Sequence, residues 1–193
     1  MTSGSRAGRI VVLSGPSAVG KDTVIQKLME LSPSLKRPPA YTTRQPRPGE
    51  IDGRDYTFVS PETFGVMEAG NQFLETARVH GNCYGTSRAL VQELLDQGHT
   101  VLLKIDVQGA AQLRDAGLDA TFVFLEPPSR AALQERRQGR ETETPEEIAI
   151  RTKDAERELA EAGWYHHRVV NDEVARAAGE VAAILGAPPS GAC

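Results

Sequence analysis

Residues Gly15–Thr23 read GPSAVGKDT, directly after the apolar run RIVVLS (Arg9–Ser14). They overlap KDTVIQKLMEL (Lys21–Leu31), whose apolar positions recur at helical spacing. Gly15, Gly20 and Lys21 thus give the pattern G-x-x-x-x-G-K between a strand and a helix. That arrangement suits phosphate binding. Glycines let backbone N–H groups converge on phosphate oxygens, the helix N-terminus adds positive potential, and lysine reaches the outer phosphates. A chance glycine turn is the alternative, and the flanking strand and helix weigh against it. The residues expected around bound phosphates are Gly15, Pro16, Ser17, Ala18, Val19, Gly20, Lys21, Asp22 and Thr23. Asp22 stands where such loops normally carry the Ser or Thr hydroxyl that meets Mg²⁺. A carboxylate is a hard oxygen ligand fit for Mg²⁺, yet it adds negative charge beside a polyanion. Asp22 therefore marks either a metal ligand or a loop that has lost its nucleoside triphosphate.

A second group with phosphate chemistry lies in YTTRQPRPGEIDGRDYTFVS (Tyr41–Ser60). Arg44 and Arg47 are three residues apart, and guanidinium groups bind phosphate bidentately. Tyr56 and Tyr84 add hydroxyl donors. Taken alone, paired surface arginines are more often simply solvated. His166 and His167 read as a solvated helix end or strand start, not as metal ligands.

These residues must be held by a fold. Fully apolar runs TVLLKID (Thr100–Asp106) and ATFVFLE (Ala120–Glu126) predict buried parallel strands, with RVVN (Arg168–Asn171) a shorter candidate. Helical spacing predicts helices over Ser87–Gln97, Val107–Ala116, Ser129–Gln138, Pro145–Ala162 and Glu173–Leu185. Strands alternating with helices argue for an α/β fold, a parallel sheet with helices on both faces. Pro38–Gly85 has shorter β-like pieces, Pro/Gly turns and one helix near Pro61–Glu68, and reads as a small inserted α/β lobe. One domain over 1–193 is expected, with a core near 9–37 and 87–186, a lobe near 38–86 and a short lid near 136–150. The charged stretch RRQGRETETPEE (Arg136–Glu147) has the texture of a mobile flap.

The 193 residues suffice for one such domain, and 39% hydrophobic with 25% charged residues is an ordinary globular balance. A net charge of −4 supplies no overall basic field for nucleic acid. Two distant cysteines, Cys83 and Cys193, form no disulfide framework, which fits a reducing cytoplasm. No secretory signal and no membrane-length apolar run is visible. No apolar stripe marks an oligomer face, so assembly stays open.

The blocks TTRQPRPGEIDGRDYTFVS, FLE (Phe73–Glu75), HGNCYGTS (His80–Ser87), IDVQGA (Ile105–Ala110), PPS (Pro127–Ser129) and GRETETPEEI (Gly139–Ile148) resemble guanylate kinases in order and spacing. The resemblance runs from about Arg9 to Leu185. It implies a P-loop kinase of nucleoside monophosphates that passes the γ-phosphoryl group of ATP to GMP, or to dGMP, with Mg²⁺. It also implies that nucleotide binding closes the lobe and flap over the core. By that resemblance Arg44, Arg47, Tyr56 and Tyr84 grip the GMP phosphate, Glu75 and Thr86 contact guanine, and Asp106 lies near the acceptor and metal. Arg136, Arg140 and Arg151 match lid and helix arginines that close over ATP and the moving phosphoryl, joining Lys21 in catalysis. Glu75 makes independent sense: guanine offers N1–H and N2–H₂ donors that a carboxylate accepts, and adenine has neither. Without the motif, Glu75 would be an ordinary strand-end charge.

Four positions depart from the family pattern. Ala18 replaces a common loop glycine, which matters little if its backbone angles suit alanine. Ala40 stands where many members have a serine that bonds the base, so guanine preference weakens by about one neutral hydrogen bond. Asp22 replaces a hydroxyl, and Lys104 replaces an acid two residues before Asp106. Residues 104 and 106 of one strand share a face, which suggests a compensating Asp22–Lys104 ion pair at the metal. Two other readings remain: a P-loop kinase for a phosphorylated sugar, and a guanylate kinase-like binding module without catalysis.

Overall fold

The first strand, β1 (Arg9–Ser14), is buried from Ile10 onward, with Val11, Val12 and Leu13 fully out of solvent. Consecutive β-branched and leucine side chains covered on both sides are what a central strand requires. In this computed structural model, which describes residues 8–79, 81–138 and 156–186, β1 is the middle of a five-stranded sheet. The strand order is β2-β7-β1-β8-β9, with β2 at Leu35–Lys36, β7 at Thr100–Lys104, β8 at Ala120–Glu126 and β9 at His167–Val170. β2 runs parallel to β7, Leu35 opposite Thr100, and β8 runs parallel to β9, Val123 opposite His167. The chain is thus an α/β protein with a mostly parallel central sheet. It separates by internal contacts into two units that share β1: the strand through Val11 joins Ser34–Ala120, and Val12–Pro33 joins the chain from Thr121 onward.

The first unit carries a second sheet, in the order β4-β3-β6-β5. Its strands are β3 (Ala40–Thr42), β4 (Tyr56–Phe58), β5 (Phe73–Val79) and β6 (Asn82–Ser87). β6 is antiparallel to both β3 and β5, and the β5/β6 register shifts between Phe73 and Thr76. Helix α2 (Pro61–Ala69) begins on a Ser60 cap that accepts from the Thr63 amide, followed by proline, as helix-start chemistry prescribes. Helix α3 (Arg88–Asp96) is capped by Ser87. Helix α4 (Val107–Asp115) is capped by Asp106, whose carboxylate accepts from the Gly109 amide at 2.9 Å.

That cap corrects one expectation. The apolar run predicts a strand through Asp106, but β7 ends at Lys104. Asp106 serves the next helix instead, so the strand rule that would place residues 104 and 106 on one face does not apply.

In the second unit α1 (Lys21–Leu31) packs on the C-terminal helix Val174–Ile184. Val24, Ile25 and Leu28 supply one buried face, and Ala177, Ala178 and Val181 the other. The alanines allow close approach. Helix α5 spans Arg130–Gln138. The helix expected over Pro145–Ala162 is described only from residue 156, and it gives way to a 3₁₀ turn at Glu161–Trp164. No helix among the described residues is long and apolar enough to cross a membrane.

Candidate active site

The loop from Gly15 to Lys21 joins β1 to α1 in the second unit. Gly20, the residue before the helix, has φ of 97°. A Cβ there would lie 2.6 Å from Asn171 Nδ2, so both conformation and space demand glycine. Asn171, only 2% exposed, donates that amide to Val19 O at 2.8 Å. Arg136 donates to the same carbonyl at 3.0 Å and to Asn171 O at 3.0 Å. Arg136 and Asn171 thus clamp the tip of the loop. The Lys21 ammonium folds back onto Gly15 O at 2.5 Å and Pro16 O at 3.1 Å. Ser17 N–H donates to a Glu158 carboxylate oxygen at 3.2 Å, an anionic acceptor for a loop amide.

Asp22 and Thr23 are exposed in the first turn of α1, where a carboxylate interacts well with the helix dipole. Ala18 does not meet the expectation of harmless replacement. Its φ is 68°, in the left-handed region, where a Cβ costs about 1–2 kcal/mol. Arg140 and Arg151 lie outside the described residues.

In the first unit, Arg44 forms a two-pronged ion pair with Glu50, Nη2 to Oε1 at 2.8 Å and Nη1 to Oε2 at 3.0 Å. Both side chains are largely covered, at 13% and 21% exposure, so solvent screens the pair less than an exposed one. The bond to Arg44 holds the Glu50 carboxyl below its ordinary range. Glu50 also accepts from the Arg47 amide at 2.7 Å, so one carboxylate fixes the chain at both arginines. The Arg44 guanidinium lies 5.3 Å from the Tyr56 ring centre and 5.8 Å from that of Phe58. Tyr56 and Tyr84 meet edge to face at 6.1 Å. Arg44, Tyr56 and Tyr84 are therefore brought together, while the Arg47 residue is exposed at the turn.

Glu75 lies on β5, where Phe73, Glu75 and Ala77 alternate on the buried side. It is 5% exposed and accepts from the Thr86 hydroxyl at 2.5 Å. Burial pushes its pKa up to about 7, the Thr86 hydrogen bond opposes this, and the charge of Asp106 adds to it. A Cβ on Gly109 would meet Glu75 Oε2 at 2.3 Å, so α4 must present glycine to the carboxylate. The register shift in β5/β6 falls beside Glu75, and such irregularities re-aim side chains. Thr86 also borders a small cleft with Arg37, Ala40, Asp55, Tyr56 and Lys104. The Lys104 ammonium lies 5.2 Å from the Tyr56 ring centre.

The second unit thus carries a loop of phosphate-binding pattern, and the first a buried carboxylate and a guanidinium–tyrosine cluster. A family model described as Guanylate kinase matches residues 7–187. The chain belongs to the guanylate kinase family. The guanylate kinase of Syntrophotalea carbinolica is 45% identical over 93% of this chain and 86% of its own length. That of Gloeobacter violaceus is 46% identical over 95% and 92%. The crystal structure of guanylate kinase from Anaplasma phagocytophilum superposes with a TM-score of 0.79 at 31% identity, covering 97% of this chain and 89% of that one. Membership makes this chain an enzyme, a nucleotide kinase.

Four residues with evident bearing on this guanylate kinase fold escaped sequence reasoning: Glu50, Gly109, Asn171 and Glu158. Glu50 sits inside the Arg44–Asp55 block, and its acid three residues after Arg47 was a readable signal. The other three act across long sequence separations, which no local pattern encodes.

Proposed function

We propose that the chain transfers the γ-phosphoryl group of ATP to GMP, giving ADP and GDP, and accepts dGMP in the same way. The observation that carries this reading is the buried Glu75. A carboxylate held out of water by Thr86 and Gly109 is costly unless a ligand supplies donors, and guanine N1–H and N2–H₂ are a matching pair. Arg44, poised by Glu50, and Arg47, Tyr56 and Tyr84 would take the acceptor phosphate. Lys21 would leave the loop carbonyls for the outer phosphates of ATP. Arg136, with Arg140 and Arg151, would offset charge on the moving phosphoryl, and Asp106 would stand near the acceptor. Such transfer needs positioning and electrostatic stabilisation, with no covalent protein intermediate.

Magnesium in kinases rides on substrate phosphates and takes one or two protein oxygens, so it needs no protein cage. No group of three or more His, Cys, Asp or Glu side chains among the described residues suits a metal. The exposed Asp22 carboxylate beside Lys21 fits the single-oxygen role. Bound there, Mg²⁺ would neutralise charge on the β- and γ-phosphates. We place the enzyme in cytoplasmic purine nucleotide metabolism, acting on free nucleotides and on neither nucleic acid nor membrane.

ADP release measured with GMP, AMP, CMP and UMP tests the reading. It predicts turnover that depends on GMP. ATP consumption indifferent to the monophosphate would overturn it, and no calorimetric heat with ATP and Mg²⁺ would favour a binding module.

A further inference from the structure

We propose that Gln112 is a positioning residue for the base-reading carboxylate: its side-chain amide clasps the backbone of Thr76 and thereby fixes where Glu75 meets guanine. The inference deepens the GMP-acceptor reading above and rests on it. Gln112 Oε1 accepts from the Thr76 amide at 3.1 Å, and its Nε2 donates to Thr76 O at 2.6 Å. The Thr76 amide belongs to the peptide group that joins it to Glu75. The clasp therefore closes directly beside the residue whose carboxylate reads the base.

The backbone at Glu75 needs such a hold. Its pairing with β6 is interrupted there: Phe73 faces Ser87 and Thr76 faces Gly85, so Leu74 and Glu75 together stand against Thr86 alone. An extra residue of this kind leaves the ladder locally unpaired and bends the strand. β5 is also the last strand of its sheet, in the order β4-β3-β6-β5. A strand in that place presents backbone N–H and C=O groups along its outer edge. Gln112 supplies Thr76 with the donor and the acceptor that a neighbouring strand would have given. A primary amide suits this role because it carries an acceptor and donors side by side, as a peptide does.

The clasp reaches the carboxylate through α4. Gly109 and Gln112 are three residues apart and lie on one side of that helix. A Cβ on Gly109 would meet Glu75 Oε2 at 2.3 Å, so the helix backbone itself bounds that oxygen. The other oxygen, Oε1, accepts from the Thr86 hydroxyl at 2.5 Å. Strand and helix are thus pinned at Thr76, one helical turn from the place where Gly109 bounds Glu75. Guanine N1–H and N2–H₂ need both carboxylate oxygens in register, and a β5 free to slide along α4 would misplace them without unfolding. The Thr76 side chain makes a separate bond, its hydroxyl donating to Glu68 Oε1 at 3.0 Å, that does not involve α4.

Steady-state kinetics of the full chain with GMP and inosine monophosphate (IMP) tests this. IMP keeps N1–H and lacks the N2 amino group, so the ratio of the two kcat/KM values reads the alignment of both carboxylate oxygens. The unmodified protein should prefer GMP. Gln112 is exposed, so Gln112→Met removes the amide and leaves core packing alone. That variant should cut the preference about fivefold through KM for GMP, with kcat and KM for ATP within about twofold. Thr76→Val, which removes the Glu68 bond and keeps the clasp, should leave the preference intact. If Gln112→Met does not fold, Gln112→Asn, whose amide is one methylene shorter, carries the same prediction. A preference unchanged in the Gln112 variant, a fall in kcat alone, or an equal loss in Thr76→Val would overturn the proposal while GMP turnover persists. No GMP turnover in the unmodified protein, or no preference over IMP, would overturn the acceptor reading itself, and this proposal with it.

Discussion

In the proposed reaction Glu75 concentrates the chemistry of the acceptor side in one ionisation. Its pKa is raised to about 7 from the ordinary 4.5, chiefly by burial, so the fold favours the protonated carboxyl. The corresponding stability is fully present below pH 4.5 and is lost as pH rises through about 7. Thermal midpoints of the unliganded protein should fall across that window relative to Glu75→Gln, which does not titrate. Guanine needs the ionised form, so the sign for binding is opposite: KM for GMP should drop as pH rises through about 7. Because the phosphate of GMP itself titrates near pH ~6, only the part of the trend absent from Glu75→Gln belongs to Glu75. A KM profile identical in both proteins would contradict this assignment. Ala18 makes a smaller claim. Relief of its left-handed conformation (φ 68°) by Ala18→Gly, set against the added freedom of the unfolded chain, should stabilise by under about 1 kcal/mol in urea unfolding. The sequence singled out Glu75 only through its resemblance to the family motif, and its burial appears only in the structure. The identity of its partners did not follow, because Thr86 and Gly109 arrive from other elements.

Elements explain why the right side chains meet. The turn after β3 brings Glu50 back onto Arg44 and the Arg47 amide, so the arginine proposed to take the acceptor phosphate is held in place before ligand arrives. Glu50→Gln keeps the shape and removes the charge. It should raise KM for GMP by about tenfold with a smaller change in kcat. An unchanged KM would mean that Arg44 is placed by its aromatic neighbours alone. On the donor side, the Asn171 amide ties the end of β9 to Val19, and Asn171→Ala should raise KM for ATP several-fold while leaving KM for GMP unaffected. Several core elements were legible from apolar runs and helical spacing, and β1, α1 and β8 fall on their expected residues, whereas the two-residue β2 gave no such signal. The end of β7 was not legible either. Asp106 follows the apolar Ile105 at the end of TVLLKID, and only its hydrogen bond to Gly109 reveals it as a helix cap.

The loop proposed to hold ATP lies in one unit of the molecule and the carboxylate proposed to read guanine in the other. Each nucleotide should therefore stabilise the protein alone. At about 100-fold excess over its Kd, either ATP or GMP adds about 2.7 kcal/mol, a rise of roughly 5–10 °C in Tm for a chain of this size. Family and broad architecture were readable from motif order along nearly the whole chain. Glu75 is proposed to make this a guanine enzyme, and the direct test is the ratio of kcat/KM for GMP over AMP in the unmodified protein and in Glu75→Gln. A ratio of about 10⁴ or more is expected, cut by at least about 100-fold in the variant. A ratio near one in the unmodified protein, or one that Glu75→Gln leaves intact, would contradict it.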